Sequence, residues 1–151
     1  MGANTATRLH GRNLAFWLDI TAGGALTDYS ADTMEVTGLP GEVEFGDVTT
    51  GGAQGHKHFP GLQKQEFSAK MVCNPIAATG AYEAVRTYQT DTQTRSFEFY
   101  PAGKGAPTTG LPKYTGECWI KSIDMPVKTT DVVIMTVHFV AENGVTQALT
   151  T

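Results

Sequence analysis

The chain has 151 residues, 40% of them apolar and 17% charged, with a formal net charge of −4. That length suits a single domain, 1–151, whose core can stand without disulfide support. The charged share falls below the roughly 25% of an average soluble protein, which suits a surface largely covered by neighbours. The acidic balance argues against a protein that grips nucleic acid through phosphate contacts.

Residues 1–12 are polar and read as a flexible N-terminal arm; they lack the apolar segment of a signal peptide. No stretch reaches the roughly 18 apolar residues of a membrane span. The expected setting is therefore a cytoplasm-like space, or a particle assembled there, with no membrane partner. Residues 14–20 (LAFWLDI) form an apolar run of strand length ended by Gly23-Gly24, and 33–37 (TMEVT) a second short strand stopped by Gly38-Leu39-Pro40.

Residues 41–61 (GEVEFGDVTTGGAQGHKHFPG) hold six glycines and no sustained period. Structureless loops of about 20 residues are rare inside compact domains and tend to be functional or disordered. This one keeps hydrophobic pegs at Val43, Phe45, Val48 and Phe59, which a pure linker lacks. Ordering it costs roughly 1–2 kcal/mol per residue, more than those pegs return on the subunit's own surface. It reads as a long loop that orders on a partner. Glu42, Glu44 and Asp47 lie near its start and His56, Lys57 and Lys64 near its finish, so opposite signs could meet across subunits and fix register.

Residues 64–73 alternate, with Phe67, Ala69, Met71 and Cys73 on one face. Residues 81–90 (AYEAVRTYQT) are the one convincing helix, with an apolar stripe at Ala81, Tyr82, Val85 and Tyr88, a cap at Thr79 or Gly80, and Glu83 suited to the first turn. A strand at 95–100 and a Gly- and Pro-rich loop at 101–112 follow. The two longest strands, 114–125 and 131–142, close the chain. The last is apolar on both faces: Val133, Met135, Val137 and Phe139 against Val132, Ile134 and Val140, the latter joined by Thr136 and His138. Such a strand is covered on both sides. The sum is a mainly β domain, a β-sandwich or partly open barrel with one short α-helix.

Sites for chemistry are not specified. Cys73 and Cys118 are far apart, each in an apolar run, and read as buried thiols. His56 and His58 point the same way on an extended segment but lack the third and fourth ligands of a zinc site. His138 reads as a core or interface histidine rather than a general base. No nucleophile elbow or phosphate loop is present. The expectation is no enzyme, no metal and no cofactor.

The order of elements, with Thr27, Asp28 and Ser30 after the opening strand, Asp47, Thr49 and Thr50 in the long loop, and Gly61-Leu62 before the next strand, resembles the major tail (tail tube) proteins of siphophages. The resemblance implies six copies forming a ring whose sheets join into one β-barrel. Rings stack head to tail, with the long loop and terminal arm bridging them. It also implies a place in the virion tail, assembly in the host cytoplasm, and partners among tape measure, tail terminator and baseplate proteins. DNA passes through without specific binding.

On this reading the candidate subunit interface comprises Glu42, Val43, Glu44, Phe45, Asp47, Val48, His56, Lys57, His58 and Phe59 of the loop, with Val132, Ile134, Thr136, His138 and Val140 of the last strand. From 132 to 140 that strand has no Pro or Lys and one titratable residue, so it could serve as an unprotected edge; a central strand of an ordinary sandwich shows the same pattern. The alternative function is a β-sandwich binding or decoration module of a virion, or a carbohydrate-binding protein. Exposed aromatics would support it, but Trp17 and Trp119 lie in apolar strands and read as core.

Overall fold

A computed structural model describes residues 11–19, 23–48, 50–52, 54–76, 80–90, 92–104 and 110–150, with backbone only at 62–64. Most of the arm, Ile20, Thr49, Thr79 and part of the 101–112 loop lie outside the described residues. After one 3-10 turn at Gly11–Asn13 come β1 (Ala15–Asp19), β2 (Leu26–Asp28), β3 (Thr33–Thr37), β4 (Glu42–Asp47), β5 (His58–Lys64) and β6 (Glu66–Val72). The helix α1 (Ala81–Gln89), β7 (Arg95–Tyr100), β8 (Pro112–Asp124) and β9 (Ile134–Leu149) complete the order.

Seven strands form one antiparallel sheet in the order β2-β1-β7-β8-β9-β6-β3, and β4-β5 form a separate pair. The two end strands, β2 and β3, are joined by residues 29–32, so the sheet must curl until its ends converge. The Thr27-to-Ser30 step builds that corner. The Asp28 carboxylate accepts the Ser30 N–H (2.9 Å) and the Ser30 hydroxyl, and Ser30 Oγ accepts the Phe16 N–H at 3.0 Å. Tyr29 between them is buried, and at the far side the Val72 N–H reaches the Asp32 carbonyl. The architecture is a partly open barrel.

Period-2 alternation fills it. Phe16 and Leu18 of β1, Phe67, Ala69 and Met71 of β6, Phe97 and Phe99 of β7, and Met135, Val137 and Phe139 of β9 are buried in one cluster. Phe139 stacks on Phe67 at 4.8 Å and lies 6.0 Å from Phe16. The helix adds Ala81, Ala84, Val85 and Tyr88 to the same cluster. Its N-cap, Gly80, has no side-chain oxygen, and the Asp32 carboxylate accepts the Ala81 N–H instead, at 3.3 Å. A negative group there also complements the helix dipole.

A buried polar cluster lies beside this core. Asp19 is 1% exposed and accepts a hydrogen bond from the Tyr88 hydroxyl at 3.3 Å. Burial pushes its pKa up, while a Ser96 backbone bond and the nearby charge of Arg95 pull it down. Arg95 is itself buried and lies with its guanidinium carbon 4.5 Å from the Tyr88 ring centroid. The group ties β1, α1 and β7 together.

Both cysteines are free thiols; Cys118 is buried and Cys73 partly so. Burial raises the Cys118 pKa, which suppresses the reactive thiolate. In the native protein at pH 8, a maleimide should modify Cys73 and spare Cys118, with the second label entering only on unfolding. Peptide mass mapping reads the two sites separately.

The tryptophans depart from expectation. Trp17 is half-buried on the side of β1 away from the core, with Lys104 Nζ 3.7 Å from its ring centroid, and Trp119 is 36% exposed. Alternation decides this: Phe16, Leu18 and Cys118 face inward, so their neighbours Trp17 and Trp119 face out.

Candidate assembly surface

The segment expected to be a loop is a β-hairpin. β4 and β5 pair antiparallel with Glu42 opposite Lys64, Phe45 opposite Pro60 and Asp47 opposite His58. The ladder extends to the Val48 N–H bonded to the Lys57 carbonyl at 2.9 Å. A register shift between Val43 and Phe45 interrupts the pattern, which is why no regular period is visible in the sequence. Val43 and Phe45 still alternate with Glu42 and Glu44, as a strand requires.

All six residues of β4 are exposed, as are the described side chains of β5. Phe45 and Phe59 are 63% and 64% exposed. Phe45 pairs with Pro60, whereas Phe59 pairs with Gly46, so the two rings project from opposite faces of the ribbon. A hairpin with an exposed apolar group on each face is marginal alone in water. Within the hairpin Asp47 Oδ2 lies 3.0 Å from His56 Nδ1, and the backbone of Glu42 is in register with that of Lys64. The rings of His56 and His58 are 6.3 Å apart. Among the described residues, no group of three or more His, Cys, Asp or Glu is placed to hold a metal ion.

The hairpin leaves the body at residues 38–41. Gly38 (φ 94°) and Gly41 (φ 97°) are left-handed, the Leu39-Pro40 peptide is cis, and Gln65 Nε2 donates to the Pro40 carbonyl at 2.5 Å. A Cβ on Gly38 would lie 2.6 Å from the Glu66 carbonyl oxygen. Gly38→Ala should therefore cost roughly 1–3 kcal/mol of stability, from positive-φ strain and the backbone contact together; urea unfolding measures it.

The second group of expected interface residues sits differently from the first. β9 pairs with β6 from Ile134 to Val140 and with β8 on its other side, so this part is a central strand and not an edge. Ile134, Thr136, His138 and Val140 are half-buried on the sheet face away from the core, while Val132 lies just before the strand and is 69% exposed. In register with them on β6 stand Val72, Lys70, Ser68 and Glu66. The strand is lined on one side by core and on the other by a mostly polar face, so its apolar character never required an open edge.

Sequence reasoning did not show where the pairing of the two long strands ends. β8 pairs with β7 only as far as Cys118, and β9 pairs with β6 only as far as Val140. Each long strand therefore runs on past one of its neighbours. The end of β9 was hidden by Asn143-Gly144, which looks like a turn but is a bulge: both residues have positive φ (56° and 82°), and the pairing shifts between Thr115 and Glu117.

No family model matches the chain, and no curated protein does. Solved structures do match. The tail of an empty gene transfer agent (GTA) particle, computed with C6 symmetry, superposes with a TM-score of 0.72 at 18% identity, covering 93% of this chain and 99% of that one. The SPP1 tail tube gives 0.68 at 10% identity over 93% and 78% of the two chains. A sheath/tube terminator of an extracellular contractile injection system gives 0.67 at 12% identity over 95% and 99%.

The chain has the tail-tube fold.

Within that fold, the curled sheet with its inserted helix is the body and the β4–β5 hairpin an appendage. No helix among the described residues is long and apolar enough to cross a membrane.

Proposed function

We propose that this protein is the structural subunit of a phage-type tail tube. It assembles into stacked hexameric rings that form the conduit for DNA ejection. The observation that carries this reading is the β4–β5 hairpin: exposed throughout its described side chains, phenylalanine on both faces, attached to a body whose fold is that of tail-tube proteins. Exposed apolar groups on both faces of a projecting hairpin mark a contact surface.

The hairpin residues Glu42, Val43, Glu44, Phe45, Asp47, Val48, His56, Lys57, His58 and Phe59 contact the next copy, and the outer face at Val132, Ile134, Thr136, His138 and Val140 supplies a second contact. The N-terminal arm joins the hairpin in bridging rings. The contacts are heterologous, each surface meeting a different one on its neighbour, which lets rings close and stack. The subunit performs no catalysis. Its other partners are the tape measure, terminator and baseplate proteins of a virion tail assembled in the host cytoplasm. A chain of net charge −4 suits a conduit that DNA traverses without sticking.

Size-exclusion chromatography and negative-stain microscopy of the purified protein test the proposal. Rings or tubes of uniform diameter are expected. A monomer at all concentrations that binds glycans through Trp119 would support the carbohydrate-binding module instead.

A further inference from the structure

The far end of the β4–β5 hairpin brings two imidazoles and a carboxylate to one side of the ribbon. His58 pairs with Asp47 in register, so their side chains share a face. His56, two residues earlier on the same extended stretch, returns to that face. Its Nδ1 lies 3.0 Å from Asp47 Oδ2, and its ring centroid lies 6.3 Å from that of His58. Both histidines are exposed, the His56 side chain by 74%. Alternation sends Lys57 to the opposite face, and its carbonyl accepts the Val48 N–H at 2.9 Å, which holds the stretch against the neighbouring strand.

We propose that His56 and His58 chelate a late first-row divalent cation (copper, nickel or zinc), with Asp47 as a positioning residue. The site follows from the hairpin geometry alone and holds whether or not copies assemble.

Three features carry it. An ionised carboxylate only accepts hydrogen bonds, so the contact with Asp47 puts the His56 proton on Nδ1 and leaves the lone pair of the neutral ring on Nε2. A carboxylate placed in this way orients a metal-binding histidine and raises its basicity. Imidazole nitrogen is the donor that suits these ions. Two rings sharing a tetrahedral ion at about 2.1 Å have centroids roughly 5 Å apart. The pair therefore has to close by about 1 Å, which exposed side chains achieve by rotating between neighbouring χ values. A closed structural zinc site takes four protein ligands; with two, the other positions stay open to water and the ion exchanges.

Isothermal titration with nickel chloride tests the site in the full chain carrying Cys73→Ser, stripped with EDTA and without an affinity tag. One ion per chain is expected, with affinity falling at least about tenfold in His56→Asn and again in His58→Asn. Asp47→Asn, which keeps both imidazoles, should weaken binding about tenfold, and Asp47→Glu should restore it to within about threefold of the parent. His10→Asn and His138→Asn should leave it unchanged. Affinity that survives both hairpin histidine substitutions, or that disappears with His10→Asn or His138→Asn, overturns the proposal; equal affinity in Asp47→Asn removes Asp47 from it. Diethyl pyrocarbonate footprinting of the wild type needs no variant. Nickel should protect His56 and His58 together, which trypsin separates at Lys57, and leave His138 reacting at its metal-free rate. Equal modification of both hairpin histidines with and without nickel rejects the site.

Discussion

Phe45→Ser combined with Phe59→Ser leaves the isolated subunit as stable as the wild type and stops it from polymerising. Both rings are nearly two-thirds exposed and lie outside the core cluster, so unfolding in urea should shift by no more than about 0.5 kcal/mol. Burying a phenylalanine fully contributes about 1.5–3 kcal/mol. Losing two at each contact should weaken association by roughly 3–5 kcal/mol, or about 100- to 4,000-fold. Sedimentation velocity across a concentration series gives both outcomes, since a variant that loses assembly by unfolding would also lose its compact monomer. Assembly of the double variant at wild-type concentration would remove the hairpin from the interface.

Arg95→Met produces the largest effect on folding. Arg95 and Asp19 are both buried, and the charge of Arg95 opposes the upward push of burial on the Asp19 carboxyl. Removing a charge that offsets the burial of a carboxylate, together with its packing on Tyr88, should cost roughly 2–4 kcal/mol, a large share of the roughly 5–15 kcal/mol that holds a domain folded. The pH dependence follows from the sign of the shift. A carboxyl whose folded pKa is raised binds its proton more tightly when folded, so its contribution is fully present below the unfolded value of about 3.9 and is lost as pH rises through the folded one. Without Arg95 the folded value rises further. The penalty should therefore be greater at pH 7 than at pH 4, as measured by urea unfolding at both. A penalty independent of pH would mean that Arg95 acts by packing on Tyr88 alone.

Where one face of a strand is buried and no bulge intervenes, the fold can be read from residue types alone. β3 and β7 occupy the expected spans, and the inward set of β6 is the alternating Phe67, Ala69 and Met71. The helix differs by one residue at its end, and its buried stripe adds Ala84 while leaving Tyr82 partly exposed. What escaped the sequence escaped for physical reasons. The β4–β5 hairpin has both faces in water, so no burial pattern marks it, and its bulge shifts the alternation that remains. β9 continues past Asn143-Gly144 to Leu149 because a bulge uses the same residues as a turn. By residue type 132–140 fits an edge or a central strand alike; pairing to both β6 and β8 makes it central, a property of register that no single strand reveals. The candidate contacts at Val43, Phe45, Val48 and Phe59 were legible because large apolar residues in a polar, glycine-rich stretch have no reason to be there unless something covers them.

A helical reconstruction of the assembled wild-type protein, at a resolution that shows side chains, tests most directly whether copies complete one another. The account predicts Phe45 and Phe59 buried against a neighbouring copy and the sheet running unbroken from subunit to subunit. An assembly in which the hairpin stands free in solvent and every sheet ends within its own chain would contradict it.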